Sequence, residues 1–195
     1  SANDTTHRGL WEKKKMKGSE LKGKKIGIVG FGNVGKRVAE ISNALGMDVS
    51  IYSSHFNDVK ENYKNYNSRD LSDLIKNSDI ISFHCKPNKD GSSIINMNEI
   101  NIMKRNCILI NTARGNLINE NDLKNALENE LIQGAALDVF KVEPAIENKL
   151  FKLKNIILTP HIAASTDEAQ IVVAEMIANQ FCDYFNKNKI VNSVT

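Results

Sequence analysis

Three side chains of this chain, taken together, could carry a reaction: Arg114, Glu143 and His161. An arginine presents a planar fork that grips a carboxylate in two places. A histidine, with an intrinsic pKa of about 6.5, exchanges a proton near neutral pH. A glutamate beside it would stabilise the imidazolium and hold the ring in place. The set suits hydride and proton transfer on a hydroxy acid. Each residue alone also has a plainer reading. Arg114 reads as a surface ion-pairing residue, Glu143 before Pro144 as a solvated loop acid, and His161 after Pro160 as a turn residue. Their positions favour the joint reading. Arg114 lies in Asn111-Thr112-Ala113-Arg114-Gly115 after one apolar run. Glu143 follows a second run that ends at Asp138, and His161 follows a third in Thr159-Pro160-His161-Ile162.

The elements that must position them start at Lys24-Lys25-Ile26-Gly27-Ile28-Val29, a short apolar run that reads as a buried strand. Gly30-Phe31-Gly32-Asn33-Val34-Gly35 follows, and a helix is expected from Asn33 to Leu45 with Val34, Val38, Ile41 and Leu45 at helical spacing. In this spacing Gly30 permits the turn, Gly32 lets a pyrophosphate approach the backbone, and Gly35 brings the helix close to the strand. The free N–H groups at the helix start would then face the phosphates. A second strand, Met47 to Tyr52, completes a βαβ unit. Further strands are expected at 79–85, 107–111, 132–139 and 155–158, separated by helices at 70–75, 98–103 and 119–130. The last and longest helix begins at a capping box of Ser165 and Glu168, with Val173, Met176, Ile177, Phe181, Tyr184 and Phe185 on its apolar face. Strands alternating with helices at these lengths give an α/β fold, a doubly wound parallel sheet of Rossmann type. In such sheets ligands bind beyond the C-terminal ends of the strands, where Arg114, Glu143 and His161 would all emerge.

Composition narrows the partners. The net charge of +3 comes from scattered lysines, and no basic run is interleaved with aromatics, so nucleic acid is not expected. No apolar stretch approaches the ~20 residues of a membrane span. Cys85, Cys107 and Cys182 are three in number, widely spaced and set in apolar segments. They read as buried free thiols of a cytoplasmic protein, without metal-ligand spacing. Residues 1–23 read as a short helix around 9–17 and a linker, with Leu10 and Trp11 docked on the main domain. Residues 24–190 read as the dinucleotide-binding domain, and 191–195 as a tail.

The motifs Gly30 to Gly35, Asn111 to Gly115, Gly134-Ala135-Ala136-Leu137-Asp138-Val139-Phe140, Glu143-Pro144 and Leu158 to Ile162 resemble those of the D-isomer-specific 2-hydroxyacid dehydrogenases in identity, order and spacing. The lead-in from Trp11-Glu12 to Leu21-Lys22-Gly23-Lys24 is similar to that of the phosphoglycerate dehydrogenase branch. The resemblance implies catalytic roles: His161 as acid/base, Glu143 as its partner, and Arg114 on the substrate carboxylate. Glu143 stands where the formate dehydrogenase branch carries glutamine. The resemblance also implies that Asn33 and Val34 bind pyrophosphate and that Cys85, Thr112 and Ala113 line the cofactor. Asp138 would contact the nicotinamide amide, with Arg114 and His161 bordering the ring. It further implies a small 2-hydroxy or 2-oxo acid substrate and a homodimer.

Three departures from the family pattern bear on function. Ser53 stands at the end of the second strand where NAD-preferring members carry an acid, so NAD is expected and NADP is not excluded. Lys86-Pro87 follows Cys85 where proline and leucine are usual. Only about two dozen residues precede the first strand, against the ~50 a small substrate domain needs. The chain therefore reads as an isolated cofactor domain without its substrate domain, expected to bind dinucleotide and to turn over substrate poorly. Two other readings are a glyoxylate or hydroxypyruvate reductase and a dinucleotide-sensing, corepressor-like binding protein.

Overall fold

The computed structural model describes residues 2–192, so residues 193–195 of the expected tail lie outside the described part. Seven strands form one sheet: β1 (Lys25–Val29), β2 (Asp48–Tyr52), β3 (Asn67–Ser68), β4 (Ile80–Phe83), β5 (Ile108–Asn111), β6 (Gly134–Leu137) and β7 (Ile156–Leu158). Their order is β3-β2-β1-β4-β5-β6-β7, and every neighbouring pair is parallel. The strand order reverses between β1 and β4. The crossovers carry α2 (Asn33–Ala44), α3 (Phe56–Val59), α4 (Leu71–Asn77), α5 (Met97–Asn101) and α6 (Glu120–Glu128). Two elements frame them, α1 (Ala2–His7) and the closing α7 (Asp167–Lys187). The doubly wound parallel sheet expected from the sequence is therefore present.

Alternation along β1 divides the core. Ile26 and Ile28 pack with Ala39, Val49, Ile51 and the aromatics Phe31, Phe56 and Tyr66. Val29 joins the larger cluster of Leu74, Ile81, Phe83, Leu109, Leu117, Leu123 and Leu137 on the other face. Successive strand residues point to opposite faces, so both faces of β1 are buried. Gly27 makes room for α4, since a Cβ there would lie 2.3 Å from the Leu74 side chain.

Several local expectations are corrected. α2 turns Gly35, Ala39 and Ser42 to the sheet, while Val34, Ile41 and Leu45 are exposed. Small residues let a helix approach the strand closely, and that outweighs the apolar stripe. α7 is capped by Thr166, whose hydroxyl accepts from the Ala169 N–H at 3.1 Å, and not by Ser165. It has no buried residue, so its apolar face lies open. The lead-in holds α1 and a single 3-10 turn at Lys13–Lys15, and Trp11 is 85% exposed where docking was expected. Cys107 is buried, but Cys85 is half-buried and Cys182 exposed. β3 and α3 fall in an Asn- and Lys-rich stretch where no element was expected.

One carboxylate ties the strand beginnings together. Asp79 accepts from the Lys25 N–H at 2.9 Å, from Lys104 Nζ at 2.9 Å and from Asn106 Nδ2 at 3.2 Å. Its backbone joins β1 and β5 as well, through Lys25 O and the Ile108 N–H. Burial alone would raise the carboxyl, but these bonds outweigh it and hold it below the ordinary 3.8. Its stabilisation is therefore complete above pH 3.8 and is lost as pH falls through the lower folded value. Asp79→Ala should lower stability by about 1–3 kcal/mol at pH 7 in urea denaturation. The gap to wild type should close in acid, and a gap unchanged at low pH would contradict this role.

Candidate active site

Parallel strands bring every C-terminal strand end to one edge, and the predicted site residues lie along it in two groups. The first surrounds the glycine turn. Gly30 has φ +99°, and a Cβ there would meet His84 O at 2.5 Å. A Cβ on Gly35 would meet Gly30 O at 2.1 Å. Both neighbours are backbone, so neither position can carry a side chain without moving the chain. Gly32 differs, because a Cβ there would meet nothing within 4 Å. The turn is thus closed on its protein side and open at Gly32, where an incoming group would approach. Asn33 and Val34 begin α2, which has no side-chain cap and no acid in its first turn. Its free N–H groups and positive end suit an anion. These residues fit a dinucleotide pyrophosphate.

The switch point beside this turn opens into a cleft of about 470 Å³. Gly30, Tyr52, Ser53 and Ser54 line it from the ends of β1 and β2, and Cys85, Lys86 and Asn88 from the segment after β4. Gly30, Ser53 and Cys85 were expected from the sequence; Tyr52, Lys86 and Asn88 were not. The half-buried His84 has its Nε2 2.9 Å from Ser82 Oγ, and desolvation lowers its pKa.

The second group follows β5, β6 and β7. Asn111 folds the turn after β5: its Oδ1 accepts from the Ala113 N–H at 3.0 Å, and its Nδ2 donates to Arg114 O at 2.9 Å. Thr112 and Arg114 are exposed and Ala113 is half-buried. The Arg114 guanidinium donates to Ala113 O at 2.6 Å and forms no ion pair among the described residues. Gly115, which was not singled out from the sequence, fixes where this turn sits. Its virtual Cβ lies 1.9 Å from the Phe140 carbonyl carbon, so the Arg114 turn presses on the loop that carries Glu143. The Asn-Thr-Ala-Arg-Gly motif contained that signal. Glu120 holds the same loop from α6, accepting from the Lys141 N–H at 2.8 Å and from Asn148 Nδ2 at 2.9 Å.

Glu143 and His161 meet directly. Glu143 Oε2 lies 2.7 Å from His161 Nδ1, and Oε1 accepts from the Phe140 N–H at 2.8 Å. The Phe140 bond, then the His161 bond, hold the Glu143 carboxyl below its ordinary value. An ionised Glu143 accepts the Nδ1 proton, which leaves Nε2 as the histidine atom free for a reacting group. The pair borders a largely apolar cavity of about 560 Å³ shared with Phe140, Phe151 and Pro160.

His161 has φ +55°, a left-handed backbone that a non-glycine residue adopts only when its surroundings demand it. Asp138 makes that demand. It is 4% exposed, and Oδ1 accepts from Thr159 Oγ1 at 2.5 Å and from the Ile162 N–H at 2.9 Å. Oδ2 accepts from the Ala163 N–H at 2.8 Å. Burial opposes ionisation, but the Thr159, Ile162 and Ala163 bonds outweigh it and the carboxyl lies below its ordinary value. The resemblance gives Asp138 a nicotinamide contact; this bracing of the His161 turn is a separate task, which the sequence reading missed. Asp138→Ala should speed hydrogen exchange at the Ile162 and Ala163 amides by at least about tenfold, as expected for losing ~1–3 kcal/mol of local stability. Unchanged exchange there would deny the bracing.

Comparison with known proteins follows the same lines. The family described as "D-isomer specific 2-hydroxyacid dehydrogenase, NAD binding domain" matches residues 1–163. The D-3-phosphoglycerate dehydrogenase of Haemophilus influenzae is 37% identical over 99% of this chain and 48% of its own length. The glyoxylate reductase of Thermococcus litoralis is 41% identical over 86% of this chain and 51% of its own length. Among solved structures, an acyclic imino acid reductase in complex with NADPH and D-Arg superposes with a TM-score of 0.89 at 34% identity. That match covers 100% of this chain and 61% of the reductase. The chain spans about half the length of these curated relatives.

Proposed function

The chain belongs to the D-isomer specific 2-hydroxyacid dehydrogenase family, and on that premise we propose that it carries the cofactor-binding and proton-transfer half of an oxidoreductase. The reaction is the interconversion of a D-2-hydroxy acid and its 2-oxo acid. The observation that carries this reading is the 2.7 Å pairing of Glu143 with His161 on the strand edge that also presents the glycine turn. Residues 24–190 form the dinucleotide-binding domain in this reading, and 1–23 its lead-in.

A bound nicotinamide dinucleotide supplies the hydride chemistry. Gly30, Gly32, Asn33, Val34 and Gly35 bind its pyrophosphate through backbone N–H groups. Ser53 and Cys85 line the adenosine side, and Thr112, Ala113 and Asp138 the nicotinamide side, bordered by Arg114 and His161. Arg114, which forms no ion pair among the described residues, grips the substrate carboxylate. His161 Nε2 gives a proton to the substrate oxygen in reduction and takes it back in oxidation. Glu143 keeps the ring oriented and stabilises its charged form.

The substrate reading is the phosphoglycerate dehydrogenase type, supported by the lead-in and by the 37% identical relative. A glyoxylate or hydroxypyruvate reductase is the second reading, favoured by the 41% identity to a glyoxylate reductase. The three free cysteines favour a reducing, cytoplasmic setting. The exposed apolar residues of α2 and α7 accord with a homodimer.

Calorimetric titration with NADH tests the cofactor half, with saturable binding as the expected result. In the whole protein, assayed with several 2-oxo acids, His161→Ala should lower kcat by about 10²–10⁴-fold and leave NADH affinity within about twofold. Normal turnover in that variant would remove His161 from the reaction. The chain alone should reduce 2-oxo acids far more slowly than the whole protein.

A further inference from the structure

The cleft at the strand-order reversal has a charge pattern that bears on which dinucleotide it admits. In dinucleotide folds a carboxylate near the end of the second strand bonds the ribose hydroxyls, and an NADP site needs a cation there instead. A carboxylate at that place also repels a 2′-phosphate. Here β2 ends at Tyr52, and the wall continues with the hydroxyls of Ser53 and Ser54. The first acid beyond them, Asp58, lies 3.7 Å from His55 Nδ1, and neither residue lines the cleft.

The same lining supplies a cation. Lys86 lines the cleft from the segment after β4 and has no hydrogen bond or ion pair among the described residues. The one carboxylate on the lining, Glu99, is drawn into the start of α5. Its Oε2 accepts from the Asn96 N–H at 2.9 Å and closes a capping box. The cleft thus offers two hydroxyls and an uncommitted ammonium along one lining.

We propose that Lys86, with Ser53 and Ser54, forms a subsite for the 2′-phosphate of an adenosine ribose, so that the chain binds NADP at least as readily as NAD. This rests on the dinucleotide-binding reading and adds to it a specificity-determining residue. A phosphate monoester brings three strong acceptor oxygens and nearly two negative charges at neutral pH. Lysine answers it as a point charge on a flexible stem, and the serines donate hydrogen bonds. Lys86 is exposed, so its attraction is moderate and screened by salt. The absence of a repelling acid does as much for selection as the attraction itself.

Calorimetry with NADH, NADPH, 5′-AMP and adenosine 2′,5′-bisphosphate tests the subsite on the chain as it stands. At 0.15 M salt NADPH should bind within about threefold of NADH or more tightly, and the bisphosphate more tightly than AMP. Lys86→Ala should weaken NADPH about fivefold and NADH less than twofold. Ser53→Asp should lower the affinity ratio of NADPH to NADH at least about tenfold. NADH binding with NADPH more than about tenfold weaker would overturn the subsite while leaving the dinucleotide reading intact. Equal losses for both nucleotides in Lys86→Ala would overturn the role of Lys86. Binding of neither nucleotide would overturn the underlying reading as well.

Discussion

Seven parallel strands share one direction, and this constraint organises the rest of the molecule. A parallel sheet joined by helical crossovers delivers every strand's C-terminal end to the same edge. Gly30 after β1, Ser53 after β2, His84 after β4, Arg114 after β5, Asp138 after β6 and His161 after β7 share that edge for that reason. At the other edge, Asp79 pins the starts of β1 and β5 and the segment around Lys104. One edge therefore carries structural anchoring while the other carries the candidate chemistry.

The two halves of the functional edge are built by opposite means. Around the glycine turn, shape is set by excluded side chains: Gly30 and Gly35 sit within 2.1–2.5 Å of backbone wherever a Cβ would stand. Around His161, shape is set by buried and half-buried acceptors. Asp138, Asn111 and Glu120 take up backbone N–H groups that irregular loops would otherwise leave unpaired. Gly115 joins the two loops of this second half by letting their backbones touch.

How legible this was depended on which force set each feature. The sheet was readable because buried parallel strands need apolar runs, and runs such as Ile26 to Val29 have no other use. The Glu143–His161 pair was readable from residue type at successive strand ends. The inner face of α2 was hard to read because a close helix–strand contact selects Gly35, Ala39 and Ser42 for size, whereas periodicity weighs only hydrophobicity. β3 is two polar residues, held by the Arg69 N–H on Ile51 O and by Asn67 on Asp48, and no pattern fits in so short a segment. The bracing by Asp138 was hidden for a different reason. Its partners Ile162 and Ala163 enter through backbone N–H groups that every residue possesses.

The same distinction separates what can vary from what cannot. The glycine turn depends on atoms that are absent, so any added side chain at Gly30 or Gly35 collides with main chain. The rim of the cleft beside it carries Ser53, Ser54 and Lys86, which are partly or fully exposed and whose side chains form no hydrogen bond or ion pair among the described residues. These side chains can therefore change without disturbing the fold. His161 and Glu143 lie between these extremes. Their side chains are 52% and 35% exposed, yet the first is held in a left-handed turn and the second by the Phe140 N–H. Orientation is fixed in advance while the dielectric around the pair is still that of water, where an ion pair gains little. A surface that closed over the pair would not need to aim these groups; it would exclude water, and with it the screening that weakens their interaction.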